Sequence, residues 1–270
     1  MKYDNRPIGV FDSGLGGLTV AAALLNILPD ENLVYLGDTA RVPYGDKSPE
    51  AIRDFVRQDV EFLVSKGVKL VVFACNTASA VALESTRQLY PGIPMLGVID
   101  AGIRAVMQAE PSGTVAVIGT RATVKSDSYR RGIHAADPAI VVKSIACPLL
   151  VPLAEEGFAD SMAAQLVIEH YLGKFKTVPP EILLLGCTHY PLFKKALKKY
   201  LGRKVRIIDS AIACGEYVAE YLQQNSMAAR PGNGGSNRFY VTDLDEKFRM
   251  LAKRFLRRMP ESVEKVNLPL

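Results

Sequence analysis

The sequence predicts an α/β fold of two similar halves, each a mainly parallel sheet flanked by helices. Three observations carry that expectation. Apolar runs of strand length alternate with helix-length amphipathic runs along the 270 residues. Two cysteines stand in near-copies of one local pattern, Leu70-Val71-Val72-Phe73-Ala74-Cys75-Asn76-Thr77 and Ile182-Leu183-Leu184-Leu185-Gly186-Cys187-Thr188-His189. Neighbouring strands repeat at similar offsets: Ile8 to Val115 by 107, Cys75 to Cys187 by 112, and the strands ending at Asp100 and Asp209 by 109. Three near-equal offsets in order read as an internal duplication.

Taken in order, strands are expected near residues 8–11, 33–36, 69–74, 95–99, 114–118, 139–145, 182–186, 205–208 and 238–242. Helices are expected near 16–28, 49–66, 78–89, 100–109, 123–134, 160–172, 191–200, 211–223 and 245–257. The stretch 225–237, with Pro231, Gly232, Asn233, Gly234 and Gly235, reads as the one clear flexible loop.

Composition bounds the function. At 49% apolar content the chain can bury an ample core as one large domain or two ordinary ones. Net charge is only +5. The clusters Lys194, Lys195, Lys198, Lys199 and Lys253, Arg254, Arg257, Arg258 recur at helical spacing without interleaved aromatics, so they read as solvated helix faces, not a nucleic-acid surface. Residues 1–7 lack an apolar signal core and no stretch reaches membrane-spanning length, which predicts a cytoplasmic protein without a membrane partner. Cys75, Cys147, Cys187 and Cys214 contain no C-x-x-C pair, as expected of free thiols in a reducing compartment. Cys147 and Cys214 read as small buried apolar residues. Cys187 and His189 lack a second closely spaced ligand pair, so no metal is expected.

In open α/β sheets ligands bind beyond the carboxyl ends of the strands, which is where both thiols fall. The turn Asp12-Ser13-Gly14-Leu15-Gly16-Gly17 adds a carboxylate, a hydroxyl and free amides at a helix start. Its spacing is not G-x-G-x-x-G, and Asp12 would repel phosphate, so a dinucleotide is disfavoured. A compact ligand with an ammonium and carboxylates fits better. Asp12 would meet the ammonium; Ser13, Asn76, Thr77, Thr120, Thr123 and Thr188 would hold the carboxylates without lysine or arginine. Alternatively these hydroxyls merely cap helices.

Five blocks then stand in one order: Asp12-Ser13-Gly14-Leu15-Gly16-Gly17, Val42-Pro43-Tyr44-Gly45, Ala74-Cys75-Asn76-Thr77-Ala78-Ser79, Val151-Pro152-Leu153-Ala154-Glu155-Glu156-Gly157 and Gly186-Cys187-Thr188-His189-Tyr190-Pro191. Together they resemble the glutamate racemase family of cofactor-independent amino-acid racemases. The resemblance implies two pseudo-twofold domains, 1–97 joined with 208–270 around an inserted 98–207, with the active site between them. It implies interconversion of L- and D-glutamate, without cofactor, supplying D-glutamate for peptidoglycan. Cys75 and Cys187 match the catalytic thiols, Asp12 and His189 the assisting groups, and Glu155 the acidic residue of its block, with Glu156 adjacent. Ser13, Pro43, Tyr44, Gly45, Asn76, Thr77, Thr120, Thr123 and Thr188 match substrate-contact positions. Arg121-Ala122 departs from the small residue expected beside glycine. A homodimer is left open, since nothing in the sequence marks a dimer face. A racemase of the same family acting on aspartate or another acidic amino acid, a Cys-His hydrolase using Cys187 and His189, and a non-catalytic amino-acid binding module are the competing readings.

The chemistry suits two thiols. Racemisation without a cofactor needs a base on one face of the α-carbon and an acid on the other. A free thiol ionises at about pH 8.5, so one must be activated while the other stays protonated. His189 is placed two residues past Cys187 to do so.

Overall fold

In the computed structural model, which describes residues 3–244, 246–256, 260 and 262–268, the chain builds two parallel sheets. The first uses β1 (Ile8–Asp12), β2 (Leu33–Gly37), β3 (Leu70–Phe73), β4 (Met95–Gly97), β9 (Asn237–Val241) and β10 (Val263–Lys265), in the order β10-β9-β2-β1-β3-β4. The second uses β5 (Thr114–Gly119), β6 (Val141–Ala146), β7 (Ile182–Gly186) and β8 (Arg206–Asp209), in the order β6-β5-β7-β8. The four-strand units β2-β1-β3-β4 and β6-β5-β7-β8 match strand for strand, which is the duplication read from the offsets. The register aligns Phe11 with Phe73 in one sheet and Gly119 with Gly186 in the other. Central strands such as Ile182–Gly186 are buried throughout, because helices cover both faces.

The helices are α1 (Leu18–Ile27), α2 (Pro49–Ser65), α3 (Asn76–Leu89), α4 (Val98–Gln108), α5 (Arg121–Ser126), α6 (Ser128–Ala136), α7 (Leu150–Glu155), α8 (Met162–Leu172), α9 (Lys174–Thr177), α10 (Lys194–Leu201), α11 (Ser210–Gln224) and α12 (Glu246–Leu256). Polar caps set several starts: Ser48 accepts from the Ala51 amide ahead of Pro49, Ser161 from Ala164 and Asp209 from Ala211. Separate apolar clusters fill the two faces of each sheet.

Several expectations are corrected. The strand expected at 95–99 stops at Gly97, and Val98-Ile99-Asp100 form the first turn of α4. The equivalent of Asp209, which ends β8, is therefore Gly97, an offset of 112 that equals the cysteine offset. The helix expected over 123–134 breaks at Asp127, whose left-handed backbone (φ +58°) ends α5 and starts α6. The expected boundary at 207/208 cuts β8, so the second sheet runs through Asp209. Stretch 225–237 is tied down: the Ala229 amide donates to Glu31, Arg230 to Asn5 and Ser236 to Asn32. Lys69 Nζ reinforces it, donating to Met227 O at 2.7 Å while paired with Glu31 at 2.6 Å. Arg257 and Arg258 lie outside the described residues. No helix among the described residues is long and apolar enough to cross a membrane.

Candidate active site

The carboxyl ends of β1, β3, β5 and β7 face one cavity of about 140 Å³ between the two sheets. Ser13, Gly14, Val42–Asp46 and Cys75–Thr77 line it from the first half; Thr120, Arg121, Pro148, Val151, Pro152, Glu155 and Cys187–His189 line it from the second. The size suits a compact molecule and not a dinucleotide. Each thiol follows the carboxyl end of an equivalent strand, so the parallel topology delivers one sulfur from each half.

Cys75 is the N-cap of α3, where Sγ accepts from the Ala78 amide at 3.4 Å. The thiol donates to Ser13 Oγ at 3.3 Å. Burial first, and the nearby Asp12 carboxyl second, push its pKa up to about 12. Burial thus keeps the Cys75 thiol protonated near neutral pH.

Cys187 meets a different partner. His189 Nδ1 lies 3.8 Å from its Sγ, and Nε2 lies 3.2 Å from Glu155 Oε1. Burial disfavours the imidazolium, but hydrogen bonds to Cys187 and Glu155 outweigh it and raise His189 to about 10. With both ring nitrogens protonated, one N–H faces the sulfur and the other the carboxylate. Glu155, at the end of α7, lines the cavity; Glu156 follows as the C-cap and is exposed. Of the two adjacent carboxylates it is therefore Glu155 that reaches the site.

The remaining residues divide. Ser13, Pro43, Tyr44, Gly45, Asn76, Thr77, Thr120 and Thr188 line the cavity, whereas Asp12 and Thr123 do not. Asp12 is 1% exposed and receives the Gly14 amide on Oδ2 at 3.0 Å. The amides of Gly14 and Gly17 both favour its charge, so the anion held by this turn is Asp12 itself and not a ligand. Burial still raises Asp12 above the usual carboxylate range, and among the described residues its Oδ1 has no hydrogen-bond partner. Thr123 stands behind Thr120 and Thr77, bonding Thr120 Oγ1 at 3.0 Å and Thr77 Oγ1 at 3.4 Å across the two halves. Thr120 also caps α5, so capping and cavity lining coincide in one residue. Tyr44 contributes its ring to the wall while its hydroxyl turns away to Asp38 and Asp59.

Tyr129 Oη donates to Asn76 Oδ1 at 2.6 Å from the other half, and among the described residues the buried Nδ2 of Asn76 has no hydrogen-bond partner. Gly16 sets how closely the halves meet: a Cβ there would fall 2.2 Å from Thr188 Oγ1 and 2.6 Å from the His189 ring, while one at Gly17 would strike Asp12 within its own half. Thr19 Oγ1 donates to Thr188 O at 3.1 Å beside this contact.

Two readings from sequence change here. Arg121 lines the cavity, so a cation is present where none was expected, and it faces Asp46 across the mouth at 3.8 Å. Arg254, expected on a solvated face, donates to Ala154 O and Glu155 O at 3.2 and 3.3 Å and holds the end of α7. Phe255 of the same helix packs edge-on against His189. Neither contact had a local signal, because α12 lies about 100 residues from α7.

The sequence pattern of the Asp/Glu/hydantoin racemases matches residues 17–217. The chain belongs to that family. It is 44% identical over 263 residues to the glutamate racemase of Neisseria meningitidis serogroup A, covering 97% of both chains. The glutamate racemase of Francisella tularensis, solved with D-glutamate, superposes with a TM-score of 0.91 at 40% identity over 98% of each chain. The Bacillus anthracis isoform RacE1 superposes with a TM-score of 0.94 at 37% identity over 99% of each. As a member of this racemase family the protein is an isomerase, and its two-domain parallel-sheet architecture is that of its solved relatives.

Proposed function

We propose that the enzyme interconverts L- and D-glutamate by two-thiol proton transfer. The observation that carries this reading is the pair of thiols, one from each half, lining a single compact cavity. Cys75 takes the α-proton from D-glutamate and Cys187 takes it from L-glutamate, each with the other thiol returning a proton to the opposite face. His189, held protonated and oriented by Glu155, stabilises charge on Cys187. Ser13 and the Ala78 amide serve Cys75. The Asn76 Nδ2 donor and the hydroxyls of Thr77, Thr120 and Thr188 are suited to substrate carboxylates, with Pro43 and Gly45 completing the wall. Asp12 acts from behind, through the field it sets at Cys75 and not by direct contact with the ammonium. On this reading the product D-glutamate supplies peptidoglycan precursors in the cytoplasm, and no cofactor enters the reaction.

The test is circular dichroism on L-glutamate with purified protein after dialysis against chelator, run in D₂O. Solvent deuterium should appear at the α-carbon of newly formed D-glutamate. Loss of activity that a metal restores, or product that keeps its original α-hydrogen, would overturn the reading.

A further inference from the structure

Behind the cavity wall lies a buried polar cluster that the proton-transfer chemistry does not use. Asp38 and Asp59 are both fully buried, and Tyr44 Oη sits between them, in a short contact with Asp38 Oδ2 and 2.9 Å from Asp59 Oδ2. Arg41 serves both: Nε donates to Asp38 Oδ2 at 2.6 Å and Nη2 to Asp59 Oδ1 at 3.2 Å, while Nη1 donates to Gln58. Thr242 Oγ1 donates to Asp38 Oδ1 at 2.9 Å.

Counting protons decides the state of this cluster. A phenol has one hydrogen, so Tyr44 donates to only one of the two carboxyl oxygens it touches. Were both carboxyls ionised, the second contact would set two lone pairs against each other in a dry site, with one guanidinium for two negative charges. A carboxyl proton removes the conflict. Among the described residues Asp38 faces three donors, Arg41 at 2.6 Å, Thr242 at 2.9 Å and Tyr44 in the shorter of its two contacts, whereas Asp59 faces two, Arg41 at 3.2 Å and Tyr44 at 2.9 Å. The proton therefore belongs on Asp59 Oδ2, donating to Tyr44 Oη, which donates onward to Asp38.

We propose that Asp59 is a positioning residue that works as a neutral carboxylic acid, fixing Tyr44 and with it the cavity-lining segment Val42–Asp46. Burial and the neighbouring Asp38 charge push Asp59 upward against the opposing pull of Arg41 and Tyr44, with Asp12 adding a further upward push. Segment 42–46 forms one wall of the cavity and has little regular structure of its own, only the single 3₁₀ turn at Tyr44–Asp46. Its pose therefore depends on what grips Tyr44, whose ring sits in the buried core and packs on Phe55 at 5.5 Å, while this hydroxyl fixes the polar end of the side chain. Asp59 does not itself line the cavity and reaches it only through Tyr44, so its loss should reach the reaction through substrate binding.

The experiment compares wild type with Asp59→Asn and Asp59→Ala, and it rests on the glutamate reading only where KM is measured. Asparagine can donate an amide N–H to Tyr44 and accept from Arg41, as the neutral acid does. At pH 7 Asp59→Asn should keep KM for glutamate within about twofold, whereas Asp59→Ala, which leaves Tyr44 without its donor, should raise KM roughly tenfold with kcat little changed. Infrared difference spectra should contain a protonated-carboxyl C=O band at neutral pH that disappears in Asp59→Asn; this needs no substrate. Loss of that band in a protein inactive on glutamate would count against the substrate reading and support the proton assignment. An unchanged band, an Asn variant whose KM rises by the expected Ala amount, or a loss confined to kcat would each overturn the proposal. If Asp59→Ala does not fold, the Asn comparison and the infrared band decide alone.

Discussion

Cys75 and Cys187 end matching strands of a duplicated fold, yet opposite kinds of neighbour serve them. Cys75 sits on a helix N-cap with a carboxyl close by and is driven up to about 12. Cys187 faces an imidazole that Glu155 and the thiol itself raise to about 10. One half thus keeps its thiol protonated, while the other sets a protonated imidazole beside its sulfur. The difference teaches that a pseudo-twofold scaffold can place two equal groups and then differentiate them through non-equivalent partners.

The largest expected effect breaks the pair. Cys75→Ala and Cys187→Ala should each lower racemisation in both directions by at least about 10²–10⁴-fold, because on the proposed mechanism each thiol is base in one direction and acid in the other. Near-normal turnover of either variant, measured by circular dichroism, would end the two-thiol account. Next comes the Cys187 side. Glu155→Gln removes one of the groups that raise His189, so the alkaline limb of kcat/KM should move to lower pH and kcat should fall about 10- to 100-fold. The sign for stability follows from the same shift. His189 rises from 6.5 to about 10, so its contribution is complete below about pH 6.5 and is lost as the pH climbs through about 10. Denaturant melts across that window should decline less steeply in Glu155→Gln than in wild type. His189→Asn should separate the two directions in kcat and KM individually, while the shared equilibrium makes both kcat/KM values fall together. Equal effects on both sets of constants would leave His189 a purely structural role.

The Cys75 side is sharpened by Asp12→Asn. With the carboxylate charge gone, the pH midpoint for alkylation of Cys75 should fall, and turnover should drop without global unfolding. An unmoved midpoint would show that Asp12 does not act through Cys75. Gly16→Ala tests the seam between the halves: its Cβ would overlap Thr188 and His189, so a loss of about 1–3 kcal/mol in thermal melts should accompany a raised KM. Arg254→Ala, which frees the end of α7, should give the smallest effect, about 0.5–1.5 kcal/mol, with a modest fall in kcat as Glu155 loses its support. Unaltered kinetics would mean that α7 holds its position without this clamp.

Much of the frame was legible because it depends on local pattern. Leu70–Phe73 and Ile182–Gly186 are continuous apolar runs ending in a small residue and a thiol, so strand, crossover and cavity-facing cysteine were readable together. Leu150–Glu155 escaped because six residues beginning beside Pro148 are too few for helical periodicity to register. Val263–Lys265 escaped because three residues with two charges resemble no strand, and only the neighbouring β9 makes them one.

The sequence by itself determined the α/β class, the internal duplication, the two thiols at strand ends and the motifs that mark the family. Those features are short-range: strand and helix periods, and residues within a few positions of a strand end. Only the tertiary structure decided which polar residues face the cavity. Asp12 is turned back onto its own glycine turn, Thr123 stands behind Thr120, and Tyr44 spends its hydroxyl on Asp38 and Asp59. It likewise brought Arg121 to the cavity wall and Arg254 to the carbonyls beneath Glu155. The physical reason is that a buried polar group must find its hydrogen-bond partners wherever packing brings them, and across the two halves those partners lie as far apart as Thr19 and Thr188, 169 residues away.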